Sequence, residues 1–426
     1  MVDIRQDCYK MGSNVKYVLY LSGFLDMFGV SLVMPLILPH AQDIGVSPTL
    51  AGLLGSVYGG IKLVSSPVMG QWSDRVGRQF SLLVCLFISG CGYSILGLHS
   101  SLAVLFASRF VLGCFKHSQT ITKAFLAEAG PDHERSALLG NFNSFSNIGF
   151  VVGPIIGGHL AEISFSLAAF AAGFIFMVNA ALIWLALSPE SSMKRPSHQT
   201  DAALMKADNV VRRKPVRDES NFSFGQMSKL FRDIDWEELW DLFLIKFLSG
   251  FSMIIFRGNF TFVLKEKFAA SPKTIGYITS YSGAVATLSG FVIGKVTDRY
   301  NSTAQQILHV TILQVVTLLC LALSTSIYLI IFFLTILSFA TSLSRVAGTT
   351  LTVSRSGNST IGSIMGLNQS VMSVARMIAP FLAGVAQEFS VDGTSLLSVT
   401  AATFSVIVML VRPQDPQYRH KSLYPQ

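Results

Sequence analysis

Charge is scarce in this 426-residue chain. Asp, Glu, Lys and Arg together make up 13% of it, against 51% hydrophobic residues, and the mean hydropathy is +0.52. Roughly a quarter of a soluble domain is charged, so too little is present here to coat one large water-facing fold or several smaller ones. Cysteine is sparse as well. Of Cys8, Cys85, Cys91, Cys114 and Cys320, four lie inside apolar runs and none forms a CxxC pair. That excludes a zinc or disulfide framework and leaves packing thiols. The sequence also lacks GxxxxGK[ST], HExxH, GxSxG and any paired set of metal ligands, so no enzyme activity, direct ATP drive, metal or cofactor is expected. Acids number 24 against 32 bases, a net charge of +8. The bases gather in the connections between apolar runs, a distribution that sets membrane topology and does not grip nucleic acid. No cleavable secretory signal is expected, because the first apolar run is too long and no small-residue cleavage site follows it.

What is abundant is apolar sequence in runs of about 20 residues, the length of a membrane-crossing helix. The pattern predicts an all-α membrane protein of twelve transmembrane helices, at 15–38, 49–70, 80–98, 102–124, 138–162, 167–188, 240–263, 274–295, 307–325, 327–348, 361–385 and 394–412. One long polar connection, 189–238, holds Pro189, Pro196 and Pro215 and the cluster Arg212, Arg213, Lys214, Arg217. It divides the chain into a six-helix bundle at 1–188 and a second at 239–426 with a tail. Lysine and arginine fall mostly in alternate connections: Arg75, Arg78, Arg135, the linker, Lys295, Arg299, Arg355 and the tail lie on one side, and only Lys265, Lys267 and Lys273 on the other. The bias places both termini and the linker in the cytosol. It leaves open whether the membrane is the plasma membrane or an internal one. The linker reads either as a segment lying on anionic lipids or as a solvated tether.

The halves repeat. GNFNSFSNIGFVVGPIIGGHLAE, 140–162, aligns with GLNQSVMSVARMIAPFLAGVAQE, 366–388: Gly140 meets Gly366, Pro154 meets Pro380, Gly158 meets Gly384 and Glu162 meets Glu388. GQWSDR, 70–75, aligns with GKVTDR, 294–299, at nearly the same spacing. Two six-span halves of parallel topology are the mark of an alternating-access transporter. Gly70-x-x-x-Asp74-Arg75-x-Gly77-Arg78 resembles the signature between the second and third spans of the major facilitator superfamily, with Gln79 in place of the usual final base. The second copy keeps Asp298 and Arg299 but has Asn301 and Ser302 where the first has Gly77 and Arg78. The fifth span, with Gly149, Gly153, Pro154, Gly157 and Gly158, is similar to the glycine–proline signature of that superfamily's proton antiporters, and LDMFGVSLVMPLILP in the first span resembles its drug:proton antiporter branch. The stretch SRFVLGCFKHSQTITKAFLAE, 108–128, resembles an animal orphan branch. The resemblance implies the major facilitator fold, two pseudo-symmetric six-helix bundles, and a monomer.

In the charged turn, Gly77 supplies backbone freedom and Gly70 admits a close helix. Asp74 is expected to cap a neighbouring helix N-terminus, which the resemblance suggests is that of the eleventh span. Arg75 and Arg78 are expected to pair with Glu128, Asp132 or Glu134. This cluster would link the halves when the cytosolic side is closed and part when it opens.

Ionisable residues inside a span are costly and face a cavity or a partner. Asp26 is the one acid placed deep in the membrane, as a proton or cation site or as the partner of a base. The bases outnumber it: Lys62 in the second span, Arg109, Lys116 and His117 in the fourth, Arg257 in the seventh and Arg376 in the eleventh. Lys123, Lys246 and Arg345 are read as reaching the cytosolic boundary. Arg109 and Lys116, seven apart, are read as sharing one helical face. The resemblance assigns Arg109 a proton-transfer or gating role. Arg376 meets Phe150 in the repeat, so no base matches it in the other half. An excess of cations favours a small organic anion as the solute, with exchange against protons through Asp26 and His117. Two other readings stay open: a proton-coupled exporter of cationic or lipophilic drugs, and a solute sensor on a transporter fold.

Overall fold

The computed structural model describes residues 13–98, 101–129, 134–187, 236–355, 361–412 and 414. The basic cluster of the predicted linker and Asp132 lie outside these. In chain order, the first span is α1 (Ser13–Val33), a 3-10 turn (Met34–Leu36) and α2 (Ile37–Asp43). Then come α3 (Pro48–Val76), α4 (Arg78–Leu98), α5 (Leu102–Phe115), α6 (Ser118–Ala129), α7 (Arg135–Ile163) and α8 (Phe165–Ala186). The second half holds α9 (Trp236–Phe268), α10 (Pro272–Thr297), α11 (Thr303–Leu323), α12 (Ile327–Arg355), α13 (Ile361–Phe389) and α14 (Gly393–Val411). Among the described residues, nine helices are long and apolar enough to cross a membrane. The other three spans are α3, α10 and the divided α5–α6. α3 and α10 pack across the two halves, against α13 and α7, and so need less apolar surface for lipid.

Local chemistry fixes the helix starts. Ser47 and Ser271 each stand as N-cap before a proline, and their hydroxyls accept from the amides of Leu50 (3.4 Å) and Thr274 (3.3 Å). Proline at the first helical position gives up an amide that would have no partner there. Ser101 and Ser164 cap α5 and α8 in the same way. Gly77, at φ +109°, carries the chain from α3 into α4 through a conformation an L side chain rarely takes.

The buried core divides with the sequence repeat. The largest apolar cluster runs from Leu19 to Leu187 and draws only on α1–α8 and the connections among them. Four smaller clusters draw only on the second half. Within the first half, α7 lies against α1 with no room for side chains: a Cβ at Gly149, Gly153 or Gly157 would strike the Phe24 carbonyl, the Ser31 hydroxyl or the Leu32 carbonyl. Gly157→Val should therefore separate two helices by displacing backbone, at a cost of about 1–3 kcal/mol. A thermal melt of the purified protein should show the loss against an exposed control such as Ile163→Val.

The halves meet at two matched crossings. At one, the Pro154 carbonyl faces Gly276, and a Cβ on Gly158 would come 2.7 Å from the Pro272 carbonyl. At the other, the Pro380 carbonyl faces Gly52, and Gly384 faces the Pro48 carbonyl. All of these lie toward the end of the bundle remote from the linker, here called the far face; the end where α8 leaves and α9 begins is the linker face. The close contact runs on to Gly59, where a Cβ would come 2.6 Å from the Arg376 carbonyl, and loosens at Gly60 and Gly283, where the nearest atoms lie 3.4 and 3.3 Å away. Beyond it, a Cβ on Gly70, Gly140, Gly290 or Gly294 would meet nothing within 4 Å. The halves are joined at the far face and parted at the linker face, leaving a cleft between them. Among the described residues, no helix makes the close approach expected at Gly70.

Candidate functional site

The first group of ionisable residues is buried inside the first half. The fourth span, expected as one helix over 102–124, breaks at Lys116 (φ −78°, ψ +64°), where the His117 amide donates to the Phe115 carbonyl at 2.8 Å. This is an inverse γ-turn. It contradicts the shared helical face read for Arg109 and Lys116, since helical periodicity ends between them. The Gly113 carbonyl, freed by the break, accepts from Ser65 Oγ of α3 at 2.8 Å. A helix break at this depth is tolerated because protein groups satisfy the freed backbone.

The break turns Lys116 inward onto Asp26 of α1. Lys116 Nζ lies 2.6 Å from Asp26 Oδ1, and the two side chains are 5% and 2% exposed. Ser118 Oγ also donates to Asp26 Oδ1, at 2.6 Å, and accepts from Lys116 Nζ at 2.9 Å. Phe176 of α8 covers the ammonium, 4.9 Å from the ring centre. Asp26 thus has a base as its partner. Its Oδ2 makes no protein hydrogen bond.

Around this pair runs a polar stripe on one face of α3. Tyr58 accepts from Lys62 Nζ at 3.2 Å, and the Arg109 guanidinium lies 5.8 Å from the Tyr58 ring centre. Arg109 Nη2 is buried and makes no protein hydrogen bond. One turn on, Ser65 Oγ is 2.8 Å from His117 Nε2. A cavity of about 240 Å³, bounded by His117, Thr120, Ser73, Asp74 and Arg78, runs from this stripe to the charged turn.

The second group lies in the other half. α9 gives Ser252 to α14, Met253 to α12 and Asn259 to α13. Arg257 and Gly258 take the remaining face; both are exposed, and a Cβ on Gly258 would meet nothing within 4 Å. Arg345 of α12 is exposed and close enough to act electrostatically on Arg257. Arg345 follows Thr341, which turns to α9, and Ser342, which turns to α10. It sits beside Arg257, which corrects its reading as a boundary residue. Arg376 is exposed on α13, with its backbone against Gly59 where α3 and α13 part. No acidic side chain among the described residues pairs with any of the three. By contrast, Lys246 donates to Thr352 near the linker face, and Lys123 lies 5.8 Å from the Phe142 ring centre.

At the linker face, Arg78 joins Asp74 and Glu128, its Nε 3.2 Å from both Glu128 oxygens. Arg75 is exposed. Asp74 thus pairs within its own half, and residues 356–360, before α13, lie outside the described ones. In the second copy Asp298 and Arg299 are exposed at the end of α10. Ser302 stands where the first copy has Arg78, the partner of Asp74.

The sequence profile of the Major Facilitator Superfamily matches residues 19–239 and 242–424. The chain belongs to that superfamily. It is similar to the quinolone resistance protein NorA of Staphylococcus aureus, at 21% identity over 404 residues, covering 93% of this chain and 96% of NorA. In fold it is similar to a bacterial homologue of the human lysosomal transporter Spinster, solved inward-facing and unoccupied (TM-score 0.71, 14% identity, 94% and 95% of the two chains covered). It is likewise similar to the human organic anion transporter MFSD10 (TM-score 0.61, 20% identity, 93% and 99% covered). The protein is a membrane transporter with the superfamily's twelve-helix fold, and it moves small solutes; it is not an enzyme.

The sequence singled out Asp26, Lys62, Arg109, Lys116 and His117, and the structure brings them into one half. It singled out Arg257 and Arg376 without their companion Arg345. Tyr58, Ser65 and Ser118 escaped notice, although Tyr58, Lys62 and Ser65 are spaced as one helical face.

Proposed function

We propose that this transporter moves small organic anions by alternating access, with residues 1–188 and 239–426 rocking about the cleft and 189–238 tethering them. The observation that carries the reading is the set of exposed arginines, Arg257, Arg345 and Arg376, with no acid among the described residues paired to them. Guanidinium groups bind carboxylates in a bidentate fork, and an unneutralised cluster of them repels cations. The basic bias of the loops supports a cytosolic linker face, so the conformation described is open to the cytosol. Protons are the coupling ion this reading favours. The cavity that reaches from the charged turn to His117, next in the chain to Lys116, supports a path toward the Asp26–Lys116 pair from the linker face. The fold neighbour MFSD10 is an organic anion transporter, which accords with the solute class. The stretch 108–128 carries a narrower resemblance, to major facilitator superfamily domain-containing protein 9.

The similarity to NorA favours a second reading, export of drugs. Flux in proteoliposomes decides between them. Labelled mono- and dicarboxylates and lipophilic cations are offered with and without an imposed pH gradient. Saturable anion flux that responds to the gradient is the expected result. Flux of cations alone would replace the anion reading with the exporter, and no flux from folded protein would favour the sensor.

A further inference from the structure

Three helix pairs cross between the halves at the far face, and each is tied by at least one carboxylate; at the first, Gln42 of α2 donates to Glu266 of α9. Asp43 of α2 pairs with Lys265 of α9, whose Nζ also donates to the Pro39 carbonyl at 2.8 Å. Glu162, at the end of α7, accepts from Ser271 Oγ, the N-cap of α10, at 3.1 Å. Glu388, at the end of α13, accepts from Thr49 Oγ1 in the first turn of α3. Glu162 and Glu388 are the residues that the sequence repeat aligns, and the two helices they touch both begin Ser-Pro. Glu162 and Glu388 therefore each lie at the positive end of a helix belonging to the opposite half. Lys265 was one of three bases on the side that otherwise carries almost none. Its contacts account for it: it holds α9 to α2. At the linker face the charged contacts of Arg78 stay within the first half.

We propose that Asp43–Lys265, Glu162–Ser271 and Glu388–Thr49 form a far-face clasp. It holds the far side closed while the linker side is open, with Glu162 and Glu388 as its two equivalent members. All three contacts cross the halves, so all three are lost when the far face opens. The clasp thus sets the ratio of the two conformations and touches no solute. The proposal rests on the alternating-access reading.

The test reads geometry and not flux. Spin labels at Leu98→Cys and Leu323→Cys, exposed far-face ends of α4 and α11, report the separation of the halves in reconstituted full-length protein whose native cysteines have been replaced. Glu162→Gln and Glu388→Gln should each raise the long-distance population about threefold relative to the short one, and together roughly tenfold, as two independent charge–dipole contacts would. Lys265→Gln should shift it the same way. A double variant whose distances superimpose on the parent's overturns the clasp, as does a shift produced by one glutamate alone. Should the variants fail to fold, salt serves instead. The contacts are exposed, so raising ionic strength on the unsubstituted labelled protein should widen the separation, and no change with salt overturns the proposal. Distances that shift while anion flux is absent would remove the solute assignment and leave the clasp standing.

Discussion

Asp26→Ala is expected to destabilise the protein by about 3–5 kcal/mol, the range for stripping one partner from a buried ion pair. Lys116 would keep its charge at 5% exposure, against the Phe176 ring and one serine hydroxyl. Lys116→Ala should be similarly severe, leaving Asp26 only the Ser118 hydroxyl. The double variant Asp26→Asn/Lys116→Met should recover most of the loss, because an apolar or neutral replacement of both partners removes the uncompensated charge. Thermal melts of these proteins in one detergent, with the single variants Asp26→Asn and Lys116→Met completing the cycle, measure the coupling of the two side chains. Additive losses, with no recovery in the double variant, would mean that the pair is not a unit. The same cycle bears on mechanism. If Asp26 exchanges protons during transport, the double variant should be stable yet move solute without response to a pH gradient.

The pair was half visible beforehand. An acid in the middle of a span is conspicuous because its cost must be met by a partner, and a base was one expected answer. The particular base was not legible. Reading 102–124 as continuous helix put Lys116 in line with Arg109, and nothing between Phe115 and Ser118 announces a break, since neither glycine nor proline occurs there. The turn is held by tertiary contacts instead: Ser65 on the freed Gly113 carbonyl, and Asp26 on Lys116 and Ser118. Long-range bonds of that kind leave no local pattern. The architecture was easier to read. Apolar length, basic loops and a constant repeat spacing are properties of the chain itself, and they carried the twelve-helix fold; the family was carried by the resemblance of the 70–78 turn and the fifth-span glycines to its signatures. The repeat also pointed to the far-face crossings, because Pro154 and Pro380 meet Gly276 and Gly52 in the same way. Which of two faces is open depends on the balance of contacts across the halves, and Gly70 shows the result: its bare backbone is suited to a neighbour that no described helix supplies in this conformation.

Neutralising Arg257 or Arg345 should separate transport from folding. Each guanidinium lies within electrostatic reach of the other, both are exposed, and no acid among the described residues offsets them. Arg257→Gln should then lower kcat/KM for an anionic solute by about 10- to 100-fold, the loss of a charge-assisted hydrogen bond worth about 1.5–3 kcal/mol. The same substitution relieves a like-charge contact, so the melting temperature of the empty protein should hold or rise. Arg345→Gln should behave alike. Arg257→Lys should recover part of the charge and little of the forked geometry, leaving an intermediate rate. Arg376→Ala should reduce flux without raising stability, since the other two arginines are on α9 and α12 and its own backbone lies against Gly59. Lys246→Gln, near the linker face and bonded to Thr352, is the control that should leave anion flux unchanged. The informative quantity is the opposition of the two readouts. A site built to hold an anion keeps its cations crowded when empty and is relieved by the solute, so the substitution that harms transport is the one that calms the resting protein. Arginines retained only for packing would give the reverse, with lower melting temperatures and unchanged anion flux, and that pattern would return the protein to the drug-export reading.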